Sequence, residues 1–76
     1  MEKKEMGQRL RSIRKEAGFS QWQLSVAANV PLGTLRNWEQ GLRIPSLDKA
    51  ARIAQALGVS LDHLAGLPPA QRRRGK

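Results

Sequence analysis

Apolar residues recur at intervals of three and four positions through most of the chain, which is the spacing of one face of an α-helix. The first such stripe predicts a helix over residues 4–17, and its members are Met6, Leu10, Ile13 and Ala17. A later stripe predicts a helix that Ser46 caps, and its members are Leu47, Ala50, Ile53, Ala54 and Leu57. Apolar and polar residues nowhere alternate as in a strand, so the pattern predicts an all-α bundle.

Residues 20–41 between these stripes have the pattern of two short helices joined by a tight turn. Ser20 and Gln23 fit the capping-box pattern at the start of the first helix. Asn29 tolerates the left-handed backbone that ends a helix. A second helix is then expected over about residues 31–41. Two helices joined in this way form a helix-turn-helix.

The second of these helices has a polar outer face, and its members are Leu32, Gly33, Thr34, Arg36, Asn37 and Gln40. An arginine can donate two hydrogen bonds to a guanine edge, and an asparagine can pair with adenine in the same way. The chain also has a formal net charge of +8, which favours polyanions. This pattern indicates a helix that enters the major groove of DNA, although polar residues on a helix face are often only solvated.

Two runs carry a family resemblance: W-E-x-G-x-R-x-P-S-L from Trp38, and A-x-A-L-G-V-S-L-D-x-L from Ala54. With them, residues 6–66 resemble the phage repressor and Cro-like family of XRE-type helix-turn-helix regulators. The resemblance implies a compact five-helix lambda-repressor-like bundle that binds double-stranded DNA in a sequence-specific way. The alternative interpretation is a helix-turn-helix that binds proteins, as an antitoxin or coactivator does. Gly33, which has no side chain to read bases, would suit it, and so would Trp22, which could cover the domain's edge, lie near the DNA backbone or mark a protein-binding site.

The resemblance also implies roles for individual residues. Gln21 would hold a DNA phosphate at a helix N-terminus, and Arg43 would contact the backbone from a loop. Arg14 and Glu39 would form a partly buried ion pair between the first and third helices. The residues that would contact bases are Leu32, Gly33, Thr34, Arg36 and Asn37. A homodimer is possible through a fifth helix that Ser60 caps, with Leu61, Leu64 and Leu67 at its surface.

Composition argues against several other classes of protein. The chain has no cysteine and a single histidine, His63, so the sequence predicts no metal site, cofactor or small-molecule ligand and no enzyme activity. No apolar run is long enough for a membrane helix, and the N-terminus lacks a signal-peptide core. A cytoplasmic protein is the simplest expectation.

The basic residues are unevenly spread along the 76 residues. Residues 67–76 contain four basic residues and no acidic one, while residues 1–66 contain 10 basic and 6 acidic residues. We therefore expect one DNA-binding domain over residues 1–66, followed by a disordered basic tail over residues 67–76. The tail could also act as an arm that adds phosphate contacts.

Overall fold

The computed structural model describes residues 2–67, which form five α-helices and no strand. The helices are α1 (Lys3–Glu16), α2 (Gln21–Ala28), α3 (Leu32–Glu39), α4 (Leu47–Leu57) and α5 (Leu61–Ala65). The predicted five-helix, all-α bundle is confirmed. The tail predicted beyond Leu67 lies outside the described residues.

One hydrophobic core joins all five helices, and its members are Met6, Leu10, Ile13, Leu24, Ala28, Val30, Leu35, Trp38, Ile53, Ala54, Leu57 and Leu64. The two predicted stripes supply half of these residues, but two members of the stripes are exposed. Ala17 is exposed because α1 has already ended there, with Ala17 as its C-cap. Leu47 is 76% exposed because it is the first residue of α4, at the rim of the bundle, and burial begins only further along the helix.

Burial also corrects the predicted partner surface on α5. Leu64 is 1% exposed and belongs to the core, so it adds almost no accessible area to a surface that could meet another molecule. Leu61 and Leu67, by contrast, are exposed. Ser60 caps the helix as predicted, since its hydroxyl accepts a 3.0 Å hydrogen bond from the amide of His63.

The start of α2 is fixed by its own side chains. The hydroxyl of Ser20 accepts from the amide of Gln23 at 3.0 Å, and the side-chain oxygen of Gln23 accepts from the amide of Ser20 at 2.9 Å. The capping box is therefore confirmed. Asn29 ends α2 in the left-handed region with φ of 57°, also as predicted.

The starts of α3 and α4 are built differently. Pro31 is the N-cap of α3, and no side chain caps this helix end. Ser46 is the N-cap of α4, but the prediction that its side chain caps the helix is wrong. Its hydroxyl instead donates to a carboxylate oxygen of Asp48 at 2.7 Å, a charge-assisted bond that orients the side chain.

Close backbone packing sets the position of α3 against α1. A Cβ added at Gly7 would meet the carbonyl oxygens of Trp38 and Glu39, the second at 2.7 Å, so only glycine fits at this crossing. On the other side, Arg52 of α4 donates to the carbonyl oxygens of Ala28 and Asn29 at 3.2 and 3.4 Å. These two hydrogen bonds join the turn between α2 and α3 to α4.

Candidate nucleic-acid interface

Helix α3 has one buried side and one open side. Leu35 and Trp38 point into the core, and every residue predicted to contact bases lies on the remaining surface. Gly33, Arg36 and Asn37 are exposed, while Leu32 and Thr34 are half-buried at the first turn. The five predicted residues therefore form one continuous surface, which we call the α3 face.

A buried ion pair fixes α3 beneath this face. The guanidinium of Arg14 donates to the two carboxylate oxygens of Glu39 at 2.6 and 3.2 Å. The two side chains are only 8% and 3% exposed. A third hydrogen bond of 2.8 Å joins Arg14 to the carbonyl oxygen of Phe19, so the pair also holds the loop before α2. The predicted partners thus lie together, and their arrangement is architectural.

The side chain of Gln21 links this pair to the α3 face. Its amide nitrogen donates to a Glu39 carboxylate oxygen at 3.0 Å, and its amide oxygen accepts from Nε of Arg36 at 3.3 Å. Within residues 2–67, the terminal nitrogens of Arg36 make no hydrogen bond. Gln21 therefore orients Arg36 while leaving the end of its guanidinium open, a role that the sequence did not predict.

A polar cleft of about 410 Å³ opens at the N-terminus of α2, and its lining residues are Arg11, Arg14, Ser20, Gln21, Glu39 and Gln40. The positive end of a helix and the exposed guanidinium of Arg11 both favour an anion there. Sequence reasoning missed Arg11. The available signal was its position three residues before Arg14, which places both on neighbouring parts of the α1 surface.

Arg43 lies in the loop after α3, at a second cleft. Lys3 from the start of α1 lines the same cleft, together with Leu42 and Ile44. Two cations thus come together from distant parts of the sequence. Sequence reasoning missed Lys3 because only the tertiary fold brings α1 next to this loop.

The two tryptophans have opposite environments. Trp38 is buried, whereas Trp22 is 63% exposed on α2, with Val26 exposed one turn later. Most of the Trp22 side chain is therefore open to solvent.

Other kinds of site find no support in residues 2–67. No three or more Asp, Glu or His side chains group there in a way that could hold a metal ion. None of the helices formed by the same residues has the length and apolar character needed to cross a membrane.

Comparison with known families decides what kind of domain this is. The family model described as Helix-turn-helix matches residues 10–64. The chain belongs to the helix-turn-helix family. This match confirms the prediction made from the two sequence runs, and it covers the whole region from mid-α1 to α5.

Two curated relatives place this helix-turn-helix domain among repressor-like regulators. It is 31% identical over 61 residues to the HTH-type transcriptional regulator ImmR of Bacillus subtilis (strain 168), covering 80% of this chain and 48% of ImmR. It is 36% identical over 61 residues to the immunity repressor protein of Bacillus phage phi105, covering 80% of this chain and 42% of that protein. The chain thus spans less than half the length of these two relatives.

Solved structures agree on the fold. The restriction-modification controller protein C.AhdI from Aeromonas hydrophila matches with a TM-score of 0.78 at 31% identity, over 80% of this chain and 92% of that one. The clp gene regulator ClgR from Corynebacterium glutamicum matches with a TM-score of 0.78 at 30% identity, over 87% of this chain and 74% of that one. The helix-turn-helix domain therefore has the fold of known gene regulators.

Proposed function

We propose that this domain is the sequence-specific DNA-binding part of a transcriptional regulator, and that α3 reads bases in the major groove. The observation that carries the proposal is the α3 face. It is exposed, lies opposite Leu35 and Trp38, and is anchored through Gln21 to the buried pair of Arg14 and Glu39. A rigid helix with an open polar side suits the groove.

Different chemistry is expected from each residue of the α3 face. Arg36 would donate to a guanine edge with its open terminal nitrogens, and Asn37 would pair with adenine. Leu32 would contact a thymine methyl group, while the hydroxyl of Thr34 suits several bases. Gly33 has no side chain, so it would contact the DNA only through its own main-chain atoms.

Two clusters would contact phosphates on either side of α3. At the N-terminus of α2, helix amides, Gln21 and Arg11 line one cleft. Beyond α3, Arg43 and Lys3 line the other. Contacts of this kind set register and affinity but carry no sequence information.

Selection of bound sites from random duplex DNA tests base reading by α3. Arg36→Ala should relax the preference at one position and cost about 1–3 kcal/mol there. The matched control is Arg9→Ala, which removes the same charge from a guanidinium that lies over Gly66 at the end of α5. Unchanged preference in Arg36→Ala would contradict the proposal and favour the protein-binding alternative.

Salt dependence tests the phosphate role of Arg43. Arg43→Ala should weaken binding by a similar factor on every site sequence, and it should lower the slope of log K against log salt by about 1. A change in base preference instead would assign Arg43 to base reading.

We propose further that the domain binds as a homodimer through an apolar groove of about 430 Å³. The lining residues are Met6, Ile44, Pro45, Leu47, Ala50, Leu61, Asp62, Leu64, Ala65 and Leu67. Leu47, Leu61 and Leu67 leave apolar surface exposed at its rim, which is typical of an interaction site. A second copy is the favoured occupant, because two-fold sites on DNA require two recognition helices.

Sedimentation at increasing concentration, with and without duplex, tests the dimer. Leu47→Glu should shift the domain towards monomer and abolish binding of two copies to a two-fold site. Val26→Glu is the matched control, because Val26 is also an exposed aliphatic residue but lies on α2, and it should leave assembly unchanged. A wild-type monomer both free and on DNA would contradict the dimer.

These roles describe a binding protein and not an enzyme. In bacteria the duplex that it would bind is in the cytoplasm, so we propose that location. The division into a DNA-binding domain over residues 1–66 and a basic tail over residues 67–76 stays a prediction.

A further inference from the structure

Six glycines lie in the described residues, and the fold explains five of them. Four have a left-handed backbone with φ of 72–82°, which side chains rarely adopt; they are Gly18, Gly41, Gly58 and Gly66. Gly7 allows the close contact of α1 with the end of α3. The sixth, Gly33, fits neither explanation.

The surroundings of Gly33 leave space for a side chain. Its φ is outside the left-handed region, and a Cβ built on it would meet nothing within 4 Å. It is exposed at the second position of α3. Alanine is a better helix former than glycine, so the fold itself would gain stability from a substitution here. Nothing within residues 2–67 requires the missing side chain.

Gly33 occupies a special place on the α3 face. Arg36 and Asn37 follow it by three and four residues, so all three share one side of the helix. Leu32 and Thr34 beside it are half-buried and leave the backbone at Gly33 open to solvent. At this point the outermost atoms of α3 are therefore main-chain atoms.

We propose that Gly33 is the point of closest approach between α3 and the base pairs, and that DNA binding, not folding, requires its lack of a side chain. This inference rests on the proposed function. The major groove is about 12 Å wide and a helix with its side chains is about 10–12 Å across, so even one added carbon at the contact is felt. A helix entering by its N-terminal end brings its first turn nearest to the bases.

The proposal gives Gly33→Ala effects of opposite sign on stability and on binding. Its melting temperature should rise by about 2–8 °C, because alanine restricts the unfolded chain and favours the helix. Its dissociation constant for the selected duplex should increase about tenfold or more, which corresponds to ~1.4 kcal/mol. A substitution that acted only through the fold would move both quantities in the same favourable direction.

Ser12→Ala provides the matched control. Ser12 is exposed within α1 and lines neither of the two clefts that we propose to contact phosphates. The substitution also replaces a weaker helix former by alanine, so it should keep or raise the melting temperature and leave the dissociation constant unchanged.

Calorimetry of the free full chain and titration with the selected duplex give both readouts. A higher melting temperature with weaker binding supports the inference. A higher melting temperature with a dissociation constant within about twofold of wild type overturns the inference about Gly33 but leaves the proposed function standing. A fall in the melting temperature of Gly33→Ala has the same consequence. Absence of duplex binding by the wild-type chain overturns the proposed function, and this inference with it.

Discussion

The two helices of the helix-turn-helix begin in opposite ways. The start of α2 is closed by the reciprocal bonds of Ser20 and Gln23, and Gln21 in the same turn is bonded on both amide atoms. The start of α3 has proline as its N-cap, no side-chain cap and an exposed glycine at its second position. The first helix end has a side-chain cap within the protein, and the second has none.

This difference indicates that the two helices of the motif have different roles, one in stability and the other in recognition. At the start of α2, the side chain of Gln21 bonds to Glu39 of the ion pair and to Arg36, and these bonds fix the position of both residues. The open end of α3 keeps amides and backbone surface for an external partner. Stability should therefore be concentrated around α2 and the buried pair, and recognition around the first two turns of α3.

The largest effect is expected at the buried pair that supports both helices. Glu39→Ala leaves the guanidinium of Arg14 buried without its carboxylate and should lower the free energy of unfolding by about 3–5 kcal/mol. Urea denaturation measures the loss. Replacing both residues with methionine is the control and should restore much of the stability, since no charge is then stranded. A loss below about 1 kcal/mol in Glu39→Ala would show that the pair is not a support.

Gln21→Ala should affect both stability and recognition. It removes a hydrogen bond to a buried carboxylate, for which about 1.5 kcal/mol is expected, and it releases Arg36. Urea denaturation and site selection together should show a modest loss of stability and a weaker preference at the base read by Arg36. Gln55→Ala, at an exposed position of α4, is the control. Weaker binding without any change in base preference would assign Gln21 to phosphate contact alone.

Ser20→Ala tests whether the cap of α2 contributes to stability and not to base reading. Loss of the cap should cost about 1 kcal/mol of unfolding free energy, while the base preference should stay unchanged, because phosphate contacts in the cleft beside Ser20 carry no sequence information. Ser46→Ala is the matched control, because Ser46 occupies an N-cap without bonding an amide. Equal losses of unfolding free energy in the two variants would mean that the capping box does not stabilise the domain.

The smallest effect is expected at the start of α4, where a carboxylate takes the place of a cap. The hydroxyl of Ser46, then the Lys49 amide and the charge of Arg52, lower the pKa of Asp48 below its usual 3.8. A lowered native pKa adds stability above pH 3.8 that is lost as the pH falls through the native value. Asp48→Asn should therefore unfold at slightly less urea than wild type at neutral pH, and the difference should vanish near pH 2. A difference that grew in acid would contradict this assignment.

Local signals in the sequence predicted the fold well. The capping box at Ser20, the left-handed Asn29 and the cap at Ser60 are settled by neighbouring residues, so they could be predicted from short windows. The errors at Ser46 and Leu47 arose where a local pattern competes with another partner or with the edge of the bundle. A periodic pattern gives the face of a helix but not where burial begins along it.

The candidate site was less predictable because its contacts are long-range. The α3 face follows from the period of one helix and needs no tertiary information. The bonds of Gln21 to Glu39 and Arg36 join α2 to α3, and the pairing of Lys3 with Arg43 depends on how α1 crosses the loop after α3. Composition and periodicity carry no signal for such contacts.

The most direct test of DNA reading by α3 is a titration of the ¹⁵N-labelled chain with its selected duplex, followed through the backbone amide signals. We expect the largest shifts in the first two turns of α3, around Gly33 and Arg36, with smaller shifts at the start of α2 and near Arg43. Signals of α3 that stayed in place while those of α4 and α5 moved would contradict the account.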